Sequence, residues 1–251
     1  MIVMIPPSLM HCWIRLIGFL ASAAVVVAAE RESFDTTKGV TQNRDHAIYD
    51  WSARHREVIE LSKRGRVDVV MLGDSIIHYW GGEPKAPIVR GEKSWVELFD
   101  QKTSVNLGFG WDRVENVLWR VQQQEVKVFQ PSTVVLMIGT NNLERNTAAE
   151  IRQGIEEVLR VLHQQLPKAE LHVLGVLPRK LPAVVKARPE ELNQELHEHL
   201  AGREKVHFHD LSARFLDQEG KWKTALLSDG LHPNEKGYEI LGKALKAIIQ
   251  R

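Results

Sequence analysis

The sequence is short of thiols. Cys12 is the only cysteine among 251 residues. It lies in an apolar N-terminal leader and is followed by Trp13 rather than by a lipid-attachment pattern at the end of the apolar run. No disulfide framework can hold the folded part together, so its stability must come from a hydrophobic core, which a chain of this length can build. Charge of one sign is lacking too. Against 33 Lys and Arg stand 32 Asp and Glu, a net charge of +1. Arg15 is the one charged residue among the first 29, so without them 32 basic and 32 acidic residues remain. A balanced chain has no electrostatic footprint for nucleic acid or for an anionic membrane surface. Repeats, low-complexity tracts and internal linkers are also missing, which leaves one folded domain.

Long apolar runs occur in one place. Leu16 to Ala29 is rich in Ala and Val, is preceded by Arg15, and ends Val27-Ala28-Ala29 before Glu30. A basic start, an apolar middle and small residues at the end predict a secretory signal peptide cleaved near Ala29, hence a periplasmic or secreted protein. The run is short for a bilayer crossing, and an uncleaved N-terminal anchor is the alternative. The chain then divides into a signal peptide (1–29), a loose polar arm (30–48) and a domain (49–251) that needs no stable membrane insertion after cleavage.

Within that domain, short continuous apolar runs alternate with amphipathic stretches. Strands are expected at 67–72, 104–107, 133–138, 171–176 and 206–209, and helices at 49–64, from 95, from Asp112 to about 124, 147–166, 186–200 and 234–249. Asp112 is read as a helix cap, Thr147 with Glu150 as a capping box, and Pro233 as a helix start. Residues 80–93, rich in Gly, Pro and charge, read as a loop. Strands apolar throughout and interleaved with helices are the signature of a parallel sheet covered on both faces.

The informative residues fall at the ends of those strands. The first runs into Gly73-Asp74-Ser75. On its own this is an ordinary turn. The second ends in Gly108-Phe109-Gly110-Trp111-Asp112, the third in Gly139-Thr140-Asn141-Asn142, and Asp229 stands three residues before His232 near the C-terminus. A hydroxyl nucleophile needs a base to take its proton, and the base needs a partner to fix its tautomer. The Asp229–His232 spacing brings a carboxylate back beside an imidazole, and His232 then has only to reach Ser75. Donors for a tetrahedral oxyanion are at hand in the Asn141 side chain and in the backbone N–H groups of Ser75 and the Gly-rich loop.

These four blocks, in this order, resemble the SGNH (GDSL) hydrolase superfamily. Val114 to Arg120 (VENVLWR) and Leu174 to Arg179 (LGVLPR) are most similar to its platelet-activating-factor acetylhydrolase-like branch. The resemblance runs from about Trp51 to the end. It implies an α/β fold, a three-layer α/β/α sandwich on a five-stranded parallel sheet of flavodoxin-like type, and ester hydrolysis without metal or other cofactor. It also implies Ser75 as nucleophile, His232 as base, Asp229 as its partner, and an oxyanion hole of Ser75, Gly110 or Trp111, and Asn141. One position departs from the pattern: Trp111 stands where many members carry Gly. The backbone donor survives that change, but an indole there either crowds the site or walls it.

Other signals are weaker. His78 and Trp80 follow Ser75 closely, and together with Trp111 and Arg179 they are candidates for binding substrate. Trp95 and Trp119 read as core, and Trp222 could border a cleft. His207, His209 and Asp210 could ligate a metal, but no further ligand cluster accompanies them, and a partly exposed strand face explains them better. The expected function is an exported serine esterase acting on a short acyl group, acetyl first, with small-molecule or glycan esters as partners. A lysophospholipase or thioesterase is the alternative among enzymes, and a silent carbohydrate-binding protein the alternative outside them.

Overall fold

The computed structural model of the protein describes residues 33–42, 48–182 and 185–249; the signal-peptide and cleavage readings lie outside them. Five strands, β1 Val69–Gly73, β2 Ser104–Gly108, β3 Thr133–Met137, β4 Glu170–Leu174 and β5 Val206–His209, form one sheet in the order β2-β1-β3-β4-β5. Every pairing is parallel. This is the flavodoxin-like order. The chain turns to opposite sides of β1 to make β2 and β3, so a crevice opens beyond the carboxyl ends of β1 and β3.

Strand alternation sorts the core into two layers. Val70 and Leu72 of β1 with Val134 and Leu136 of β3 face one side, and Val69, Met71, Val135 and Met137 face the other. The first side is covered by α1 Trp51–Ser62, α4 Val114–Gln122, α5 Ala148–Gln165 and α6 Pro189–Leu200. The second is covered by α3 Glu92–Leu98 and α7 Glu235–Ile249, together with the one-turn α2 Ser75–His78. Because both faces are buried, the central strands are apolar at successive positions, as the sequence pattern implies.

Several local expectations need correction. The helix expected from Asp112 begins at Val114, after Arg113. Asp112 caps nothing, because its carboxylate accepts from Arg120 Nε (2.9 Å), Trp51 Nε1 (3.0 Å) and Gln42 Nε2 (2.7 Å). Pro233 does not start α7. It sits in an antiparallel bridge with Leu227, and Asn234 Oδ1 accepts the Gly237 N–H (3.1 Å) instead. Helix α3 starts at Glu92, inside the stretch read as loop. The Thr147–Glu150 capping box is present as expected.

The arm is not loose over residues 33–42. Thr36 is buried and donates its hydroxyl to Glu150 O on α5, and the Val40 N–H donates to Glu115 O on α4. Phe34 receives the Arg113 guanidinium over its ring at 4.2 Å. A polar segment without periodicity gives no sign of such docking, because the Thr36 and Val40 bonds that hold it reach partners 114 and 75 positions away.

Two buried guanidiniums brace the rim of the sheet. Arg54 donates to Gly108 O (2.8 Å), Asn106 O (3.0 Å) and Pro84 O (2.9 Å). Arg120 donates to Leu107 O (3.2 Å) and, weakly, to Gly73 O (3.4 Å). It also forms ion pairs with Asp112 and Glu125, all three side chains having no exposed surface. Burial opposes the Arg120 charge, but Glu125 and Asp112 outweigh it and hold the guanidinium protonated. Removing one member of such a cluster strands the others in a dry interior at about 3–5 kcal/mol.

Candidate active site

Ser75 is the first residue of α2, and Asp74 caps that turn, its Oδ1 accepting from the Ile76 N–H (2.9 Å). Strand β1 thus delivers the serine to the crevice, and the cap sets the angle at which the chain leaves the sheet. Burial pushes the Asp74 carboxyl up to about 7. Gly108 at the end of β2 allows α2 to sit so close, since a Cβ there would lie 2.2 Å from His78 N. Asn106 of β2 completes the joint by donating to Ile77 O (2.8 Å) and Gly81 O (2.7 Å).

Across the crevice, the loop before α7 carries Asp229 and His232. Asp229 Oδ1 accepts the backbone N–H groups of Leu231 (3.1 Å) and His232 (2.9 Å), which folds the loop into a turn, with Gly230 at a left-handed φ of 81°. Its Oδ2 lies 2.8 Å from His232 Nδ1, and His232 Nε2 lies 2.8 Å from Ser75 Oγ. Burial opposes the Asp229 charge, but the hydrogen bonds from the His232 amide and ring outweigh it and hold the carboxyl down at about 2. Asp229 is therefore ionised at neutral pH and accepts the Nδ1 proton, which leaves Nε2 as the acceptor facing the serine hydroxyl. Burial lowers the His232 pKa; Asp229 pulls the other way, and Arg90 and Arg179 add to the lowering.

Residues 71–240 match the GDSL-like Lipase/Acylhydrolase family. The chain belongs to this family. It is accordingly a carboxylic ester hydrolase. Platelet-activating factor acetylhydrolase IB subunit alpha2 of Rattus norvegicus is 30% identical over 202 residues, 80% of this chain and 84% of that protein. Among solved structures, an acetyl xylan esterase aligns with a TM-score of 0.57 at 18% identity, covering 72% of this chain and 99% of its own. A carbohydrate esterase family 3 protein of Talaromyces cellulolyticus aligns at 0.55 and 18%, covering 73% and 97%. At such identities the structural likeness speaks for the fold.

The block-two and block-three loops of this acylhydrolase are stitched together. Asn141 Nδ2 donates to Asp112 O (2.9 Å), Arg113 Nε to Asn141 O (3.2 Å), and the Val114 N–H to Asn142 Oδ1 (3.0 Å). An amide nitrogen carries two hydrogens, so one of Asn141's remains after the bond to Asp112. Trp111, adjacent in the chain, is 43% exposed at the rim and holds a left-handed φ of 67°. That conformation costs a residue with a Cβ roughly 1–2 kcal/mol. It explains why glycine suits this position. Replacing Trp111 by glycine should leave the melting temperature unchanged or higher, because the strain relieved is at least as large as the roughly 0.5–1 kcal/mol of added chain entropy. Turnover of acetyl esters should stay within about tenfold while longer acyl chains gain, as a change of pocket size is worth ~1–3 kcal/mol. If Trp111→Gly loses all acetyl turnover, the indole is part of the catalytic apparatus.

Three of the residues expected to bind substrate or oxyanion lie elsewhere. Gly110 does not offer its N–H to the crevice, because that group donates to His78 Nδ1 (3.1 Å). His78 itself is buried beneath the loop, and burial, with Arg54 and Arg120 near, lowers its pKa to about 2, so it stays neutral. Trp80 has no exposed surface. It packs on Tyr238 and Trp95 and donates Nε1–H to Ser94 Oγ (2.8 Å). Arg179 remains at the rim, where its Nη1 donates to Thr140 O (3.2 Å) beside Asn141. It also borders a groove of about 680 Å³ with Arg188, Lys221 and Trp222. Trp222 lies beside the Asp229–His232 loop, where a side chain at Gly230 would meet its ring. His207 bonds Glu170 (2.8 Å) and His209 bonds His172 (3.0 Å) on the edge strand β5, apart from these loops.

Two neighbours of Asp229 and His232 carry no signal in the sequence. Tyr79 packs its ring on His232, with centroids 5.1 Å apart, and Arg90 reaches Asp229 Oδ2 at 3.5 Å. Arg90 lies in an irregular loop 139 positions before Asp229, and no spacing rule connects the two.

Proposed function

We propose that the protein is an exported serine esterase that removes acetyl groups from carbohydrate esters. The observation that carries the chemistry is the continuous line from Asp229 through His232 to Ser75, with 2.8 Å at each step. Ser75 Oγ adds to the ester carbonyl carbon while His232 Nε2 takes its proton, and Asp229 stabilises the imidazolium that results. The carbonyl oxygen gains negative charge and is held by the N–H groups of Ser75 and Trp111 and by the second amide hydrogen of Asn141. The alcohol leaves with the proton from His232, giving an acyl-serine. Water, deprotonated by the same imidazole, releases the acid and restores the hydroxyl.

The preference for acetyl rests on two names, the acetylhydrolase subunit and the acetyl xylan esterase. The carbohydrate half rests on the groove that Trp222 lines with Arg179, Arg188 and Lys221, which adjoins the Asp229–His232 loop where Gly230 approaches Trp222. An aromatic side chain flanked by cationic donors offers a sugar an apolar surface for its ring and partners for its hydroxyls. Export rests on the 1–29 leader.

A substrate panel tests this reading. p-Nitrophenyl acetate, the octanoate ester, acetylated oligosaccharides and a lysophospholipid would be compared by kcat/KM. Acetate should exceed octanoate by at least about tenfold, a difference of ~1.4 kcal/mol in transition-state binding, and acetate should be released from the oligosaccharides. Faster turnover of octanoate or lysophospholipid would replace the proposal by a lipid acylhydrolase. Amino-terminal sequencing of the secreted protein should begin at Glu30.

A further inference from the structure

Gly110 is held on both sides. Its N–H donates to His78 Nδ1 (3.1 Å), and its carbonyl accepts from Tyr49 Oη (2.6 Å) and Gln42 Nε2 (2.9 Å). Tyr49 and Gln42 precede the part of the chain that matches the family, which begins at residue 71. The Gly110 carbonyl belongs to the same peptide group as the Trp111 N–H. In a trans peptide those two bonds point in opposite directions. Whatever fixes the carbonyl therefore fixes the N–H.

We infer that Gln42 and Tyr49 are positioning residues for the oxyanion hole: by holding the Gly110 carbonyl they aim the Trp111 N–H at the oxygen that becomes negative. The inference rests on the serine-esterase reading above. A strained backbone persists only where its surroundings over-determine it, and Trp111 at φ 67° is such a place. The hydrogen bonds on either side of it supply that constraint. Gln42 also donates to the Asp112 carboxylate (2.7 Å), and Asn141 holds Asp112 O (2.9 Å). The peptide group before Trp111 is thus tied to the N-terminal segment, the one after it is tied through the Asp112 N–H to Phe109 O (3.2 Å), and the next is held by the block-three loop. Burial raises the Tyr49 hydroxyl pKa far above neutrality, so it remains a donor wherever the enzyme works.

The test compares wild type, Tyr49→Phe, the double variant Tyr49→Phe/Gln42→Met, and Ser75→Ala on p-nitrophenyl acetate and on its thionoester, in which C=S replaces C=O. Sulfur accepts hydrogen bonds poorly, so an aimed donor favours the oxygen ester, and a misaimed one favours it less. Tyr49→Phe should lower kcat on the oxygen ester about tenfold and the double variant about a hundredfold, approaching the loss of a whole oxyanion donor. KM should change little, and the oxygen-to-sulfur rate ratio should shrink in step with kcat. Tyr49→Phe keeps the ring and its packing on His78, so it carries the test even if the double variant does not fold. Wild-type kcat in Tyr49→Phe, or a fall in kcat with an unchanged oxygen-to-sulfur ratio, overturns the inference. An inactive Ser75→Ala beside unimpaired Tyr49 and Gln42 variants overturns this inference alone, whereas an active Ser75→Ala overturns the serine reading beneath it.

Discussion

Ser75→Ala should abolish ester turnover while leaving the protein folded. In the proposed mechanism this hydroxyl forms the acyl bond, and α2 carries no second hydroxyl or thiol to stand in its place. Mutation of a triad serine typically lowers kcat by about 10⁶, which puts residual p-nitrophenyl acetate hydrolysis near background. Stability should change by less than about 1 kcal/mol, the usual worth of one hydrogen bond, because the cap that shapes this turn comes from Asp74 and not from Ser75. Thermal unfolding followed by circular dichroism separates the two effects. Wild-type turnover by the purified variant would end the proposal, and an unfolded variant would show that the hydroxyl had a structural duty the geometry does not reveal.

The second large effect concerns His232. As general base it must be neutral, so kcat/KM should fall as pH falls, with a single ionisation. Burial lowers its pKa from the ordinary 6.5, and Asp229 opposes that lowering. The acid limb should therefore lie below 6.5 in the wild type. Replacing Asp229 by asparagine removes the opposing charge, so the limb should move to still lower pH while kcat itself falls, because Nδ1 loses the acceptor that sets its tautomer. Those two movements, limb down and rate down, are the signature of an Asp–His pair. His232→Ala should cost about as much as the serine change. A limb that rises in Asp229→Asn, or activity without His232, would assign the proton to another group.

The sequence by itself determined the parallel sheet and the candidate site residues that the fold brings together. Val69 to Leu72 and Val134 to Met137 are apolar at consecutive positions because both faces of their strands are buried, and their interleaving with amphipathic helices asks for a parallel sheet covered on both sides. Ser75, Asn141, Asp229 and His232 are legible because each stands at a strand end or in a short turn, where local spacing constrains the backbone. Asp229 and His232 even orient each other within one turn. Only the tertiary structure decided which neighbours face the crevice. His78 and Trp80 are three and five positions past Ser75, yet one lies under the Gly110 loop and the other in the core between α3 and α7. Their fate depends on how closely α2 packs on Gly108, which no local rule states. The burial of Arg120 hangs from a single clue, a cation inside the apolar helix α4, and its partners Asp112 and Glu125 come from the two ends of that helix. Gln42, Tyr49 and Arg90 show no pattern at all. Hydrogen bonds between segments 60 to 140 residues apart leave no periodicity in the chain, since each needs only one donor in the right place once the fold has brought the segments together.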